Sequence, residues 1–316
     1  MLLHACRENP SVAPNMKPLK PRKFSRIRII GAASGLGAQD RACADGPVAF
    51  HQSQAWHEIE RHPLLDWGRT LFAPEGDVAQ PAGRIGELCR HLADEVGVAL
   101  AAGEFPLVIG GDHSVAIGTW SGVARFVGAP LGLLWVDAHL DSHTPETSYS
   151  GAIHGMPLAC LLGRGDKRLL NLGLNGVQVS AAHTVVLGPR SHEPEEIEFL
   201  QGMGVRIIDS EEVFQRGFAA CLAEALSIVT AAPAGFGVTL DLDAIDPQLA
   251  PGVGSPEPDG LHAGDVLAAL HRIAGLPGLQ ALEIVEYNPD RDRHGLTADL
   301  ISDLIGQILP PPGGHR

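Results

Sequence analysis

The feature that most constrains this chain is a set of short, wholly apolar runs that end abruptly in charge. Leu131–Val136 is apolar until it meets Asp137, and Gly237-Val238-Thr239-Leu240 ends at Asp241. Leu107-Val108-Ile109 opens into Gly110-Gly111-Asp112-His113-Ser114, and Leu279–Val285 ends at Glu286. Arg28-Ile29-Ile30-Gly31, Thr184–Leu187 and Val205–Ile208 continue the series. Amphipathic stretches lie between. Ile85, Leu88, Leu92 and Val96 share one helical face after Pro81, and further helices are expected over Val266–Ile273 and Thr297–Leu309. Asp45-Gly46-Pro47 is the cap and first turn expected of a helix running to about Glu60. Apolar strands alternating with helices require a mainly parallel sheet covered on both faces, a three-layer α/β (αβα) sandwich. The Gly and Pro clusters fall at strand ends, where such sheets build their sites.

With 316 residues, 45% of them hydrophobic, the chain can bury a large core. No interdomain linker or repeat interrupts it, so residues 26–316 read as a single catalytic domain. Residues 1–25 carry Pro10, Pro14, Pro18 and Pro21 among basic residues and read as a flexible tail; Met1 and Met16 are both candidate starts. The formal charge of −14 disfavours nucleic acid and anionic membranes and suits a small cationic substrate. No apolar run approaches the roughly 18 residues of a membrane span. The cysteines (Cys6, Cys43, Cys89, Cys160, Cys221) are five in number, scattered, and form no C-x-x-C pair. That pattern suits reduced thiols in a cytoplasmic protein and suggests neither a disulfide framework nor a thiolate zinc site.

Carboxylates at the ends of buried strands repel one another unless a cation pairs with them. Asp137, His139 and Asp141, and likewise Asp241 and Asp243, are spaced to share one face if the strand pleat continues through them. With His113 they form a mixed imidazole–carboxylate set suited to manganese, zinc or iron. Two divalent ions sharing carboxylates can also share a hydroxide, a strong nucleophile at neutral pH. Asp112 and Asp246 read instead as cap and turn residues, Asp246 being followed by Pro247.

Together, G-G-D-H-S at 110–114, D-A-H-L-D at 137–141 and T-L-D-L-D-A-I-D-P at 239–247 resemble the three motifs of the ureohydrolase (arginase and agmatinase) family, over roughly Ile27 to Leu309. The resemblance implies two Mn²⁺ ions. His113 and Asp141 would bind one, His139 and Asp243 the other, and Asp137 and Asp241 would bridge. Asp141 would also orient the hydroxide. The loop Thr144–Leu158 is similar to that of arginases. By that likeness Ser148 and Ser150 hold a substrate α-carboxylate, His154 shuttles protons, and Glu286 binds the guanidinium. Two positions depart from the arginase pattern: His143 and Ala152 stand where Asn is usual. Glu193 falls where an Asp that reads the α-amino group is usual.

The implied reaction is hydrolysis of a guanidino compound, L-arginine first, to an amine (here L-ornithine) and urea. Alternatives are a guanidinobutyrase- or agmatinase-like activity, a formiminoglutamase-like hydrolase, or a non-catalytic metal-binding regulator. The resemblance also implies a homo-oligomer, a trimer or hexamer.

Overall fold

A computed structural model describes residues 24–76 and 80–309. The N-terminal tail up to residue 23, with both candidate starts, lies outside the described residues. Residues 24 and 25 are already held, Phe24 against the Phe105 ring and the Ser25 amide on the Gly103 carbonyl.

Eight strands form one sheet: β1 (Ile27–Ala33), β2 (Leu65–Phe72), β3 (Phe105–Gly110), β4 (Leu131–Val136), β5 (Val179–Leu187), β6 (Arg206–Ile208), β7 (Phe236–Asp241) and β8 (Leu279–Val285). Their order is β2-β1-β3-β8-β7-β4-β5-β6, and every pairing is parallel. Strand residues alternate between two cores, as the pleat requires. Ile27, Ile29, Leu134, Val136, Val238 and Leu240 face helices Gly46–His51, Gln54–Ile59, Phe218–Val229, Ala263–Ala274 and Leu296–Ile308. Ile30, Ala32, Leu133, Trp135 and Val186 face helices Pro81–Ala101, Ala116–Val127, Pro157–Leu161 and Pro194–Met203. The three-layer αβα sandwich expected from the sequence is therefore the fold observed.

Two local expectations need correcting. The single helix expected up to Glu60 is two helices, because Ser53 leaves the helical region and its Oγ accepts the Trp56 amide as a fresh N-cap. Strand β2 was not anticipated. It is an edge strand with a largely half-exposed to exposed sequence, Leu65-Asp66-Trp67-Gly68-Arg69-Thr70, and carries no buried apolar run.

The topology places the site. The three charged motifs follow β3, β4 and β7, and Glu286 follows β8. In the sheet these strands are contiguous, β3-β8-β7-β4. Consecutive strands β3 and β4 are thus separated by β8 and β7, and the crevice at their C-terminal ends is where an open α/β sheet receives ligands.

Candidate metal centre and substrate cavity

The pleat does not carry the motif side chains together, contrary to the spacing argument. Strand β4 ends at Val136, and Asp137–Asp141 form a loop in which Asp141 has φ +49°. Asp241 closes β7, and Asp243 lies in the following 3-10 turn, Leu242–Ala244. Short side-chain turns aim the groups: Asp137 Oδ1 accepts the His139 amide at 2.7 Å and Asp241 Oδ1 the Asp243 amide at 2.9 Å. Asp243 Oδ1 accepts the Ala138 amide, tying the second motif to the third. The left-handed backbone of Asp141, and that of Glu286 at φ +67°, are strained conformations of the kind that persist at functional sites.

Two donor clusters result. Around His113 Nδ1 stand Asp137 Oδ2 at 3.0 Å, Asp141 Oδ2 at 3.0 Å and Asp241 Oδ2 at 3.1 Å. Around His139 Nδ1 stand Asp243 Oδ2 at 3.1 Å and Asp137 Oδ1 at 3.4 Å. Asp137 therefore gives one oxygen to each cluster. All six expected ligands converge here, and apart from the partly buried His139 all are buried.

The tautomer of His113 fits a metal. Its Nε2 is 3.0 Å from Thr239 Oγ1, and that hydroxyl donates to Glu283 Oε2 at 2.7 Å. With its proton committed, Thr239 Oγ1 accepts from Nε2, which leaves the Nδ1 lone pair facing the carboxylates. Nδ1 is buried and makes no well-directed hydrogen bond, although three carboxylate oxygens surround it. An orphaned imidazole nitrogen amid convergent carboxylates is the donor set of a divalent cation.

Electrostatics state the same demand. Burial raises Asp141, and with the charge of Asp137 it takes the group to about 6. Burial, then Asp243 and Asp137, push Asp241 well above the carboxylate range, and burial also raises Asp243. Burial alone would lower His113 and His139, but the surrounding carboxylates outweigh it and hold both well above the usual imidazole value. Asp137, opposed by burial but bonded to both histidines, is held low. Positive charge is required at this point, and divalent cations supply it without protonating the carboxylates.

Asp112 and Asp246 do serve as cap and turn residues. Asp112 accepts the Ser114 and Gly37 amides and the Ser34 hydroxyl; Asp246 accepts the Gln248 amide.

A cavity of about 270 Å³ opens from the clusters, walled by His139, Asp141, Asp243, His143, Ser150 and Glu193 among others. A second, of about 260 Å³, shares the His154–Ser150–Ser255 wall and reaches Glu286. His154 Nδ1 lies 3.0 Å from Glu286 Oε1, which also accepts the His113 amide at 2.9 Å. Burial would lower His154, but the Glu286 carboxylate takes it to about 9. Burial would raise Glu286, yet His154 and the other donors hold it low.

On the far side of the first cavity His143 Nε2 meets Glu193 Oε2 at 2.9 Å and Glu196 Oε2 at 3.5 Å. Glu193 and Glu196 form a capping box at the helix Pro194–Met203. Burial pushes Glu196 up to about 7. Ser148 is not among the cavity-lining residues; its Oγ accepts the Gly151 amide. Sequence reasoning did not single out Thr239, Glu283 or Glu196. The E-x-x-E spacing at 193–196 was a readable signal for the last.

The arginase family model matches residues 25–310. The chain belongs to the arginase family. Among members of this family, an arginase of Brevibacillus brevis is 35% identical over 290 residues, covering 90% of this chain and 97% of that one. An arginase of Bacillus caldovelox is 35% identical over 292 residues with the same coverages. The crystal structure of arginase from Bacillus subtilis superposes with a TM-score of 0.82 at 31% identity, covering 92% of this chain and all of that one. The chain is thus an arginase-family ureohydrolase whose buried His/Asp clusters suit divalent metal. Among the described residues no helix is long and apolar enough to cross a membrane.

Proposed function

We propose that the chain hydrolyses L-arginine to L-ornithine and urea with two Mn²⁺ ions. The observation that carries this reading is Asp137, whose two oxygens are divided between the His113 and His139 clusters. In this reading His113 and Asp141 would hold one ion and His139 and Asp243 the other, with Asp137 and Asp241 serving both. Bound there, the pair supplies Lewis acidity and makes hydroxide available at neutral pH.

The chain's own residues do the rest. Glu286 has four acceptor sites on its two oxygens. The His113 amide and His154 fill those of Oε1, and Cys43 Sγ takes one on Oε2 at 3.2 Å. The remaining site on Oε2 takes a guanidinium N–H, and a second N–H competes with His154 for Oε1. This fixes the planar cation against the clusters. Asp141 orients the attacking water and receives its proton. As the C–N bond breaks the proton passes to the departing amine. His154, cationic at neutral pH through Glu286, exchanges the proton with solvent. The Ser150 hydroxyl, on the wall shared by both cavities, holds the substrate carboxylate; His143, Glu193 and Glu196 face its amino group.

A second reading, a different guanidino acid, is favoured by one observation: His143 already engages Glu193, the carboxylate assigned to the α-amino group. A homo-oligomer, trimer or hexamer, and a cytoplasmic setting belong to the same proposal. They are supported by the family likeness and by four buried cysteines free of disulfides among the described residues.

The deciding experiment measures urea release from arginine, agmatine, guanidinobutyrate and guanidinopropionate with Mn²⁺ present. Arginine is expected to give the highest kcat/KM, and Asp141→Asn is expected to abolish turnover. Release of formamide from a formimino substrate in place of urea, or retained turnover in Asp141→Asn, overturns the assignment. A metal-loaded protein that binds guanidino ligands without releasing urea is a regulator.

A further inference from the structure

None of the functions assigned above draws on a cysteine for its own sake, yet one thiol lies in the site. Cys43 sits in the 3-10 turn Ala42–Asp45 and is wholly buried. Its Sγ is 3.2 Å from Glu286 Oε2 and 3.6 Å from the Glu286 carbonyl oxygen. We infer that Cys43 is a positioning residue for guanidinium binding: its thiol donates to Glu286 Oε2 and holds the carboxylate plane so that one Oε2 lone pair faces the substrate. The inference rests on the role proposed for Glu286.

Three features support it. First, Glu286 holds a left-handed backbone at φ +67°, which a non-glycine residue keeps only where its surroundings impose it, and both of its carboxylate oxygens are engaged. Oε1 is fixed by the His113 amide and His154; on Oε2 the donor is Cys43. Second, the approach is built closely. A Cβ on Gly46 would stand 2.4 Å from the Tyr287 carbonyl oxygen, so only glycine lets this turn lie against the 286–287 backbone. A Cβ on Gly254 would stand 2.6 Å from Glu286 Oε2 and 3.0 Å from Cys43 Sγ, so the thiol–carboxylate contact is enclosed from a third side. Third, burial and the Glu286 charge raise the thiol far above its ordinary value, so it keeps its proton and remains a donor, not a nucleophile.

A thiol is a weak donor. It lends direction to Oε2 without a strong claim on the oxygen, which leaves the carboxylate free to bind a stronger donor. A hydroxyl at this position would also orient Oε2.

The test compares Cys43→Ala and Cys43→Ser with the parent protein, all loaded with Mn²⁺. Free guanidinium chloride binding is measured by calorimetry, and KM and kcat are measured with arginine. Cys43→Ala should weaken guanidinium binding about fivefold, the scale of one modest hydrogen bond. KM should rise by a similar factor with kcat changed less, because the contact serves ground state and transition state alike. Cys43→Ser, which restores a donor, should recover most of the binding. Equal guanidinium affinity in all three proteins overturns the inference, as does equal weakening in Ala and Ser variants, which marks packing alone. The calorimetric arm does not depend on turnover. A protein that releases no urea but loses guanidinium affinity in Cys43→Ala sinks the proposed activity and upholds the positioning role. One that binds no guanidinium at all sinks both.

Discussion

Nδ1 of His154 stands 3.0 Å from Oε1 of Glu286, the same oxygen that accepts the main-chain amide of His113. The residue assigned to proton exchange and the residue assigned to the guanidinium are therefore one ion pair, linked through a backbone hydrogen bond to His113 of the first donor cluster.

The first prediction concerns this pair. In metal-free protein, His154 should titrate near 9, because Glu286 outweighs the effect of burial. An imidazole raised above its unfolded value of about 6.5 stabilises the fold fully below that pH, and the contribution fades as pH rises through about 9. Glu286, held low, contributes above its unfolded value and loses that contribution only in acid. Glu286→Gln should return His154 toward 6.5 and remove the stability difference between pH 6 and pH 9 that the pair supplies. Imidazole proton shifts followed by NMR across pH 5–10 check both; a His154 midpoint unaffected by Glu286→Gln refutes the coupling.

Metal removal should destabilise the chain most where the carboxylates are ionised. The clusters hold His113 and five further titratable groups whose pKa shifts reflect uncompensated charge. A chelator should lower the melting temperature at pH 7.5. Mn²⁺ at a hundredfold excess over its Kd should return about 2.7 kcal/mol per site. Titration should give two ions per chain, falling in Asp137→Asn, which replaces one of the two shared oxygens with an amide nitrogen and removes the carboxylate charge from both clusters. A stoichiometry of one that Asp137→Asn leaves unchanged refutes the shared carboxylate.

Thr239→Val keeps the shape of the side chain and removes the hydroxyl that links His113 Nε2 to Glu283. The imidazole then loses the partner that fixes its proton on Nε2. Mn²⁺ affinity should fall about 10- to 100-fold, the usual penalty for losing such a partner. The valine also takes one hydroxyl donor from the fully buried Glu283, which keeps that of Thr119, so some stability should be lost as well. Competition with a metal-sensitive dye measures the affinity directly; an unchanged Kd would show that Thr239 serves packing alone.

His143→Asn should free Glu193 and Glu196 from the imidazole they now engage. If this wall reads the substrate's α-amino group, the ratio of kcat/KM for arginine to that for guanidinobutyrate should shift about tenfold or more, with metal content unchanged. The two compounds differ at the amino-acid end and share the guanidinium, so a constant ratio would place recognition elsewhere.

How much of this the sequence revealed depended on the range of the interaction. Strand ends β4, β7 and β8 were legible because burial on both faces makes their apolar runs continuous, and a carboxylate ending such a run stands out. Strand β2 was not, since an edge strand with Asp66, Arg69 and Thr70 has no such run. The six residues of the two donor clusters were legible as types and spacings, but the pleat was the wrong device: Asp141 arrives through a left-handed turn and Asp243 through a 3-10 turn. Cys43 and Glu283 were invisible because their partners lie 243 and 164 residues away, Glu286 and Thr119 respectively. No local pattern encodes such pairs.

The support beneath the site offers the last prediction. Gly237 and Thr239 face the same side of β7, and a Cβ on Gly237 would fall 1.9 Å from Trp120 Cζ3. Trp120 is wholly buried in the core behind the metal centre and cannot swing into solvent. Gly237 pairs with Leu133 in the middle of the sheet, so the backbone cannot yield without disturbing β4, which delivers Asp137. Gly237→Ala should therefore cost about 3 kcal/mol or more through overpacking. If the clash with the indole is the cause, Trp120→Leu in the same background should recover part of the loss. The double mutant would then be more stable than the sum of the single changes predicts. Denaturant melts of the four proteins give the coupling directly. Strict additivity would show that Gly237 is required for its backbone and not for the space it leaves to Trp120.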